Sequence, residues 1–159
     1  MEIYIFRHGT AEERHLGRPD AERTLTEDGK AKLSKVLTRA RKVGVAPSLI
    51  LTSPHTRAVQ TAELAAEVLG YQGELVRTPA LLPGASPPAI WAELCSRADE
   101  GAVLLSGHEP LLSAIAAYLL DAPTLKIDLK KGALMRIDIE ELSGDPRGEL
   151  KWLLTPKAA

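Results

Sequence analysis

Three short stretches hold the residues best suited to chemistry: Arg7-His8-Gly9, Ser53-Pro54-His55-Thr56-Arg57 and Gly107-His108-Glu109-Pro110. Each closes an apolar run, respectively Ile3-Tyr4-Ile5-Phe6, the "SLILTS" segment and the "AVLLS" segment. Histidine can act as a nucleophile or proton carrier near neutral pH. Arginine keeps its charge and presents a planar fork of donors that matches an oxyanion. A strand ending on a cation and an imidazole has two readings, an ordinary polar strand end or delivery of both groups to a pocket. If the three runs are neighbouring strands, two histidines and two arginines meet on one rim.

That set does not suit a metal. His8, His15, His55 and His108 show no H-x-x-x-H or H-E-x-x-H spacing, Cys95 is the single cysteine, and guanidinium groups beside His8 would repel a cation. No G-x-x-x-x-G-K-[ST] loop occurs, so neither a metal nor another cofactor is expected.

The elements that must position these residues alternate. Glu2–Phe6 reads as a strand, and "TEDGKAKLSKVLTRARKV" repeats Leu33, Val36, Leu37 and Ala40 at helical spacing. After "SLILTS", the stretch "PHTRAVQTAELAAEVLG" carries an apolar stripe from Ala58 to Leu69 with Gly70 placed as a helix stop. A weak strand at Leu75–Arg77 leads through the Pro-rich "TPALLPGASPP" to a helix around Trp91, which Pro87-Pro88 suits as a start. "AVLLSGHEP" is followed by a helix whose Leu112, Ile115, Ala116 and Leu119 face inward. The tail reads as a two-stranded hairpin around Ser143–Gly148. This βα alternation predicts a mostly parallel sheet covered by helices on both faces, with an antiparallel contribution from the C-terminal hairpin. In such sheets ligands bind beyond the carboxyl ends of the strands, where the three clusters fall.

The 159 residues, 45% hydrophobic, suit one domain spanning 1–159. Lys+Arg 20 against Asp+Glu 21 leaves a net charge of -1, so nothing in the overall balance points to nucleic acid or an anionic membrane, and any basic site must be local. Cys95 lies on the apolar side of the Trp91 helix and reads as core packing. No signal-like segment opens the chain, and no apolar stretch approaches the roughly 20 residues of a membrane span, so a cytoplasmic address is expected.

Together the motifs resemble the histidine phosphatase superfamily: "RHG" after the first strand (Arg7-His8-Gly9), "SP..RA.QTA" (Ser53 to Ala62) and "GH.P" (Gly107 to Pro110). Order and spacing match over about the first two-thirds of the chain. The short length and "RTLTEDG" at Arg23–Gly29 look most like the SixA-type phosphohistidine phosphatases. The resemblance implies a three-layer, phosphoglycerate mutase-like αβα sandwich. It also implies a phosphohistidine intermediate on His8, with Arg7, Gly9, Arg57 and His108 around the phosphoryl group, and a phosphorylated protein as partner.

The same roles follow from chemistry. Phosphoryl transfer spreads charge over three oxygens, and its catalysis is mainly positioning and electrostatic stabilisation. The helix after Pro54 would add N–H groups and a positive dipole end near Arg57, and Gly9 would let the main chain turn beside the phosphoryl group. His8 must be neutral to attack, which neighbouring arginines and desolvation favour. His108 reads as a hydrogen-bond donor to the phosphate. Phosphate or vanadate should occupy such a pocket.

Mutases and many phosphatases of the superfamily carry a glutamate as general acid after the third strand. Here "RTPALLPGASPP" holds no Asp or Glu. That departure disfavours an alkoxide leaving group, which needs a proton, and suits an imidazole leaving group. Hydrolysis of protein phosphohistidine is therefore the expected function. A small-molecule phosphomonoesterase is the alternative, and a non-catalytic phosphoprotein-binding module is a third. Glu12, Glu13 and Asp20 lie in the Thr10–Thr24 loop, which is long enough to fold over the pocket, but read as solvated carboxylates; Arg14, Arg18 and Arg23 read as scattered surface charge in preference to a site for an acidic partner; Glu109 reads as a solvated glutamate; and His15 as exposed. His55 reads equally as a rim residue or a bystander.

Overall fold

The computed structural model describes all 159 residues. Ten main elements follow in order: β1 (Glu2–Arg7), α1 (Glu27–Lys42), β2 (Leu49–Thr52), α2 (Thr56–Leu69), β3 (Leu75–Arg77), α3 (Pro87–Cys95), β4 (Ala102–Gly107), α4 (Leu111–Leu119), β5 (Leu134–Asp138) and β6 (Glu149–Leu154). The strands form one six-stranded sheet in the order β3-β2-β4-β1-β5-β6. The β3-β2, β2-β4 and β4-β1 ladders are parallel, whereas β5 and β6 add antiparallel ladders at one edge. The expected sheet and its C-terminal antiparallel contribution are both present, although β6 begins only at Glu149 and a register shift interrupts its pairing at Arg136/Ile137.

Alternate residues of each central strand feed two separate cores. Ile3, Ile5, Leu51, Val103 and Leu105 pack with Ile90, Trp91, Leu94, Leu112 and Ile115 of α3 and α4. Tyr4, Phe6, Ile50 and Leu104 pack on the other face with Leu33, Val36 and Leu37 of α1 and Ala62, Ala65 and Leu69 of α2. A strand covered on both faces has no polar side to show, which is why β1, β2 and β4 read as continuous apolar runs. The helix assignment follows from handedness. The chain steps outward from β1 to β2 to β3 with α1 and α2 on one face, then doubles back to β4, and a right-handed crossover puts α3 on the other face.

Local signals set the helix ends. The Thr26 hydroxyl accepts from the Gly29 N–H at 2.9 Å to cap α1, whose first turn holds Glu27 and Asp28 and whose last turn holds Arg39, Arg41 and Lys42, matching the helix dipole. Gly70 ends α2 at φ 75°, a left-handed conformation that glycine adopts without strain. Gly29 serves a different purpose: a Cβ there would sit 2.3 Å from the Thr10 carbonyl oxygen, so only glycine lets the loop after β1 lie against α1. No helix is long and apolar enough to cross a membrane.

Candidate active site

β1 and β4 are adjacent and parallel with Arg7 opposite Gly107, so His8 and His108 leave the sheet side by side. After β1 the chain turns to α1 on one face, and after β4 it turns to α4 on the other. The two loops part and leave a crevice at the point where the direction of winding changes. β2 pairs on the far side of β4 with Thr52 opposite Ser106, which brings Ser53 and the start of α2 to the same rim. The structure thus brings Arg7, His8, Arg57 and His108 together around a cavity of about 210 Å³, where Ala11, Arg14, Asp20, Arg23, Glu109 and Lys131 join them.

His8 is 7% exposed and its orientation is specified by two contacts. Its Nδ1 lies 2.7 Å from the Gly9 carbonyl oxygen, which can only accept, so Nδ1 carries the proton. Nε2 is left with its lone pair, toward which Arg57 Nε donates at 3.3 Å. Burial pushes the His8 pKa down to about 4; the Gly9 bond opposes this, and the charges of Arg57, Arg7 and Lys131 add to it. The ring is therefore a neutral imidazole with a defined nucleophilic nitrogen. Gly9 does more for packing than for turning. A Cβ there would meet Leu33 at 2.8 Å, and its N–H donates to Thr61 Oγ1 at 3.3 Å.

His108 is 2% exposed, with its ring centroid 5.2 Å from that of His8. Its Nε2 is 2.7 Å from Ser53 Oγ, and its buried Nδ1 has no partner in the protein. Burial, then His8 and Arg57, push its pKa down to about 3. His55 packs edge-on against His108 with centroids 5.1 Å apart, half-buried at the margin of the site, and burial and Arg57 lower its pKa too. It does not line the cavity and reaches the site only through this contact with His108.

The two arginines differ in how they are held. Arg7 is anchored through Nη1 to the Leu129 carbonyl at 2.7 Å, while its buried Nε has no partner. Arg57, 4% exposed, points three N–H groups at protein: Nε to His8, Nη1 to the Asp20 carbonyl oxygen at 2.9 Å and Nη2 to the Asp20 carboxylate at 3.2 Å. Asp20 also accepts from Arg23 at 2.8 Å and pairs with Arg14 at 3.1 Å. Burial raises the Asp20 pKa, but the Arg23 hydrogen bond and the charges of Arg57, Arg23 and Arg14 outweigh it and hold the carboxyl below its usual range.

The Thr10–Thr24 loop is thus a strap over the pocket, and two sequence expectations are corrected. Asp20 is not a carboxylate present for solubility, and Arg14 and Arg23 are not scattered charge: their opposite signs fasten the strap to Arg57. Glu12 joins in, accepting from Arg18 and from the Thr24 hydroxyl. Glu109 is likewise not merely solvated, because it is half-buried and accepts from the Ser113 N–H at 2.8 Å at the start of α4. His15 is exposed, as expected. Cys95 packs against the α3/α4 core.

The remaining positions of the second motif have structural partners. Gln60 accepts from the Leu25 N–H at 2.8 Å, Thr61 ties α2 to Gly9, and the Ala58 carbonyl accepts from Ser106 Oγ at 2.8 Å. Lys131 was missed altogether, since a lysine in "DLKKGAL" carries no local signal of a pocket.

A sequence model described as "Histidine phosphatase superfamily (branch 1)" matches residues 3–81, the part of the chain that holds Arg7, His8, Gly9 and Arg57. The chain belongs to the histidine phosphatase superfamily. An uncharacterised protein of Picosynechococcus sp. is 34% identical over 163 residues, covering 99% of this chain and 98% of that one. Among solved structures, the protein histidine phosphatase SixA complexed with tungstate superposes on this histidine phosphatase with a TM-score of 0.89 at 24% identity, covering 99% of this chain and 98% of that one. The alpha-ribazole phosphatase from Shigella flexneri has a TM-score of 0.77 at 18% identity, covering 98% and 97%. The fold is therefore the three-layer αβα arrangement of these phosphatases, SixA-like over its whole length.

Proposed function

We propose that this histidine phosphatase hydrolyses phosphohistidine on a protein substrate through a covalent intermediate on His8. The observation that carries the reading is the proton-free Nε2 of His8, set in a neutral ring by the Gly9 carbonyl, touched only by a long 3.3 Å contact from Arg57 Nε, and ringed by Arg7, Arg57 and His108. In the first step Nε2 attacks phosphorus in line, the P–N bond to the substrate imidazole breaks, and that imidazole leaves with a proton from solvent. In the second, water attacks the phosphoryl group on Nε2, releasing inorganic phosphate and returning the lone pair to His8. Arg7, the two N–H groups of Arg57 not used by His8 and Asp20, and the unpartnered Nδ1 of His108 stabilise the charge on the phosphoryl oxygens. Phosphate and vanadate are pocket ligands in this reading, in keeping with the tungstate bound to SixA.

Choice of leaving group rests on the lack of a poised acid. From the "RTPALLPGASPP" segment only Pro83 reaches the cavity. The two carboxylates that line it are otherwise engaged: Asp20 is held ionised by three arginines, and Glu109 accepts from Ser113. A leaving imidazole takes its proton readily, whereas a serine alkoxide needs one at the moment of cleavage. Phosphohistidine should therefore be preferred over phosphoserine by about 10²-fold in kcat/KM. Matched peptides at pH 7 test this, and equal values would sink the phosphohistidine assignment. The outcome would then favour the second reading, a small-molecule phosphomonoesterase with Glu109 as donor, for which the likeness to alpha-ribazole phosphatase and the place of Glu109 in the cavity speak. A cytoplasmic address belongs to the same proposal, since a lone cysteine suits a reducing compartment.

A further inference from the structure

Beside the catalytic cavity, and sharing Arg7 and Lys131 with it, runs an open groove of about 890 Å³. Three parts of the chain converge there: Lys32 and Lys35 from one face of α1, Lys130 and Lys131 from the loop before β5, and Lys157 from the last turn. No acidic side chain lines it. Lys32 pairs with Asp28 and Lys130 with Asp128, each at 2.8 Å, but Lys35, Lys131 and Lys157 have no carboxylate in reach. In a chain of net charge -1, this local concentration of one sign does nothing for the fold, since like charges side by side repel. The opposite end of the sheet carries the opposite sign, with Glu140, Glu141 and Asp145 outnumbering the one cation, Arg147, around a second depression.

We infer that the groove docks an acidic polypeptide segment next to the phosphorylated side chain of the substrate protein, an inference that rests on the protein-phosphohistidine reading above. Three observations select this occupant. The groove shares Arg7 and Lys131 with the catalytic cavity, so whatever fills it lies next to the group being hydrolysed. Its cations are exposed on long, flexible stems instead of converging on a point, which suits steering of a macromolecule and rim contacts more than enclosure of a small anion. No aromatic residue lines it, so it offers no stacking platform for a nucleic acid. The charge asymmetry of the whole molecule would turn an acidic partner toward this face before contact.

The test uses the full chain and the double variant Lys35→Glu/Lys157→Glu, both at exposed positions outside the catalytic cavity. A labelled Glu/Asp-rich peptide should bind the wild type in fluorescence anisotropy, weaken as salt is raised, and lose about tenfold or more in affinity for the variant. Lys35→Gln/Lys157→Gln should fall between. In kinetics, KM for a phosphohistidine peptide with acidic flanks should rise while kcat, and kcat/KM for free phosphohistidine, stay as in wild type. Equal binding of the acidic peptide by wild type and charge-reversed protein would overturn the inference. So would displacement of the peptide by tripolyphosphate or an oligonucleotide at concentrations below its own. Acidic-peptide binding without turnover of any phosphohistidine would uphold the groove and remove the functional reading, whereas phosphohistidine turnover indifferent to acidic flanks would remove the groove alone.

Discussion

Two clusters of interacting ionisable groups sit at opposite ends of the sheet, and they are built on opposite principles. At the amino end of β1, Arg136 bonds Asp138 at 2.8 and 2.9 Å and Glu2 at 2.9 Å, while Tyr4 donates to Glu2. Hydrogen bonding to Asp138 raises the Arg136 pKa and the same bond lowers that of Asp138, so each charge is stabilised by its partner. At the carboxyl end, burial dominates: His8 and His108 are pushed down, Nδ1 of His108 and Nε of Arg7 lack partners, and Arg57 is spanned by the Asp20 strap. The first cluster is satisfied by itself, whereas the second leaves Arg7 Nε and His108 Nδ1 without a protein partner. A perturbed pKa marks a candidate site only where the perturbing cause leaves a group unsatisfied.

The strongest way to break that contrast is to remove the proposed nucleophile. His8→Ala should lower turnover by about 10⁴-fold or more and abolish an acid-labile, base-stable phosphoenzyme, while the fold survives. Arg136→Met at the other end should leave kcat/KM within about twofold and cost on the order of 1 kcal/mol of stability, because its ion pairs are only partly buried. Substantial turnover by His8→Ala in rapid-quench labelling would show that the two clusters do not differ as described.

Next in size are the groups around the phosphoryl position. Arg7→Ala, Arg57→Ala and His108→Ala should each lower kcat/KM by about 10²- to 10³-fold. Arg57→Lys should remain poor, since an ammonium cannot at once face His8, Asp20 and the substrate. Wild-type kinetics in Arg57→Lys would remove the case for a multidentate guanidinium.

Stability against pH sharpens the comparison from the folding side. His8 and His108 resist protonation in the folded protein down to about 4 and about 3, whereas unfolded histidines take up protons near 6.5. Below 6.5 the unfolded chain therefore binds more protons, so stability is fully kept above that pH and falls as pH drops toward 4. For His8 the interval corresponds to on the order of 3 kcal/mol. Urea midpoints at pH 7 and pH 4.5 should differ less in His8→Asn than in wild type; an identical shift in both would show that His8 is not a source of the acid sensitivity.

The smallest effect concerns the strap. Asp20→Asn removes the anion that faces Arg57 and should tighten inhibition by phosphate about fivefold, since a partly exposed charge contributes about 1 kcal/mol. Unchanged phosphate inhibition would mean that the Asp20 charge does not compete for the pocket.

Much of this was legible in the chain because local signals and burial agreed. β1, β2 and β4 are covered on both faces and read as unbroken apolar runs; Gly70 marked the end of α2; even the three-residue β3 was apparent at Leu75–Arg77. That the Thr10–Thr24 loop could cover the pocket was legible from its length, but the role of Asp20 escaped because a charged loop has no periodicity and the Arg57 partner that gives Asp20 its meaning lies 37 residues away in sequence. Ser53 was visible within its motif, yet its bond to His108 spans 55 residues and depends on β2 and β4 being neighbours.

By themselves, the residues determined the sheet with helices on both faces, and the three strand ends where chemistry was to be sought. Those properties follow from side-chain hydrophobicity, periodicity and turn chemistry, which act over a few residues. Tertiary structure alone decided that His8 turns a proton-free Nε2 toward the cavity, because the tautomer depends on where the Gly9 carbonyl points. It alone placed Asp20 against Arg57, and it alone gathered lysines from α1, the loop before β5 and the final turn into one groove. Electrostatics and hydrogen bonding act across space, and the chain contains no record of those distances until it folds.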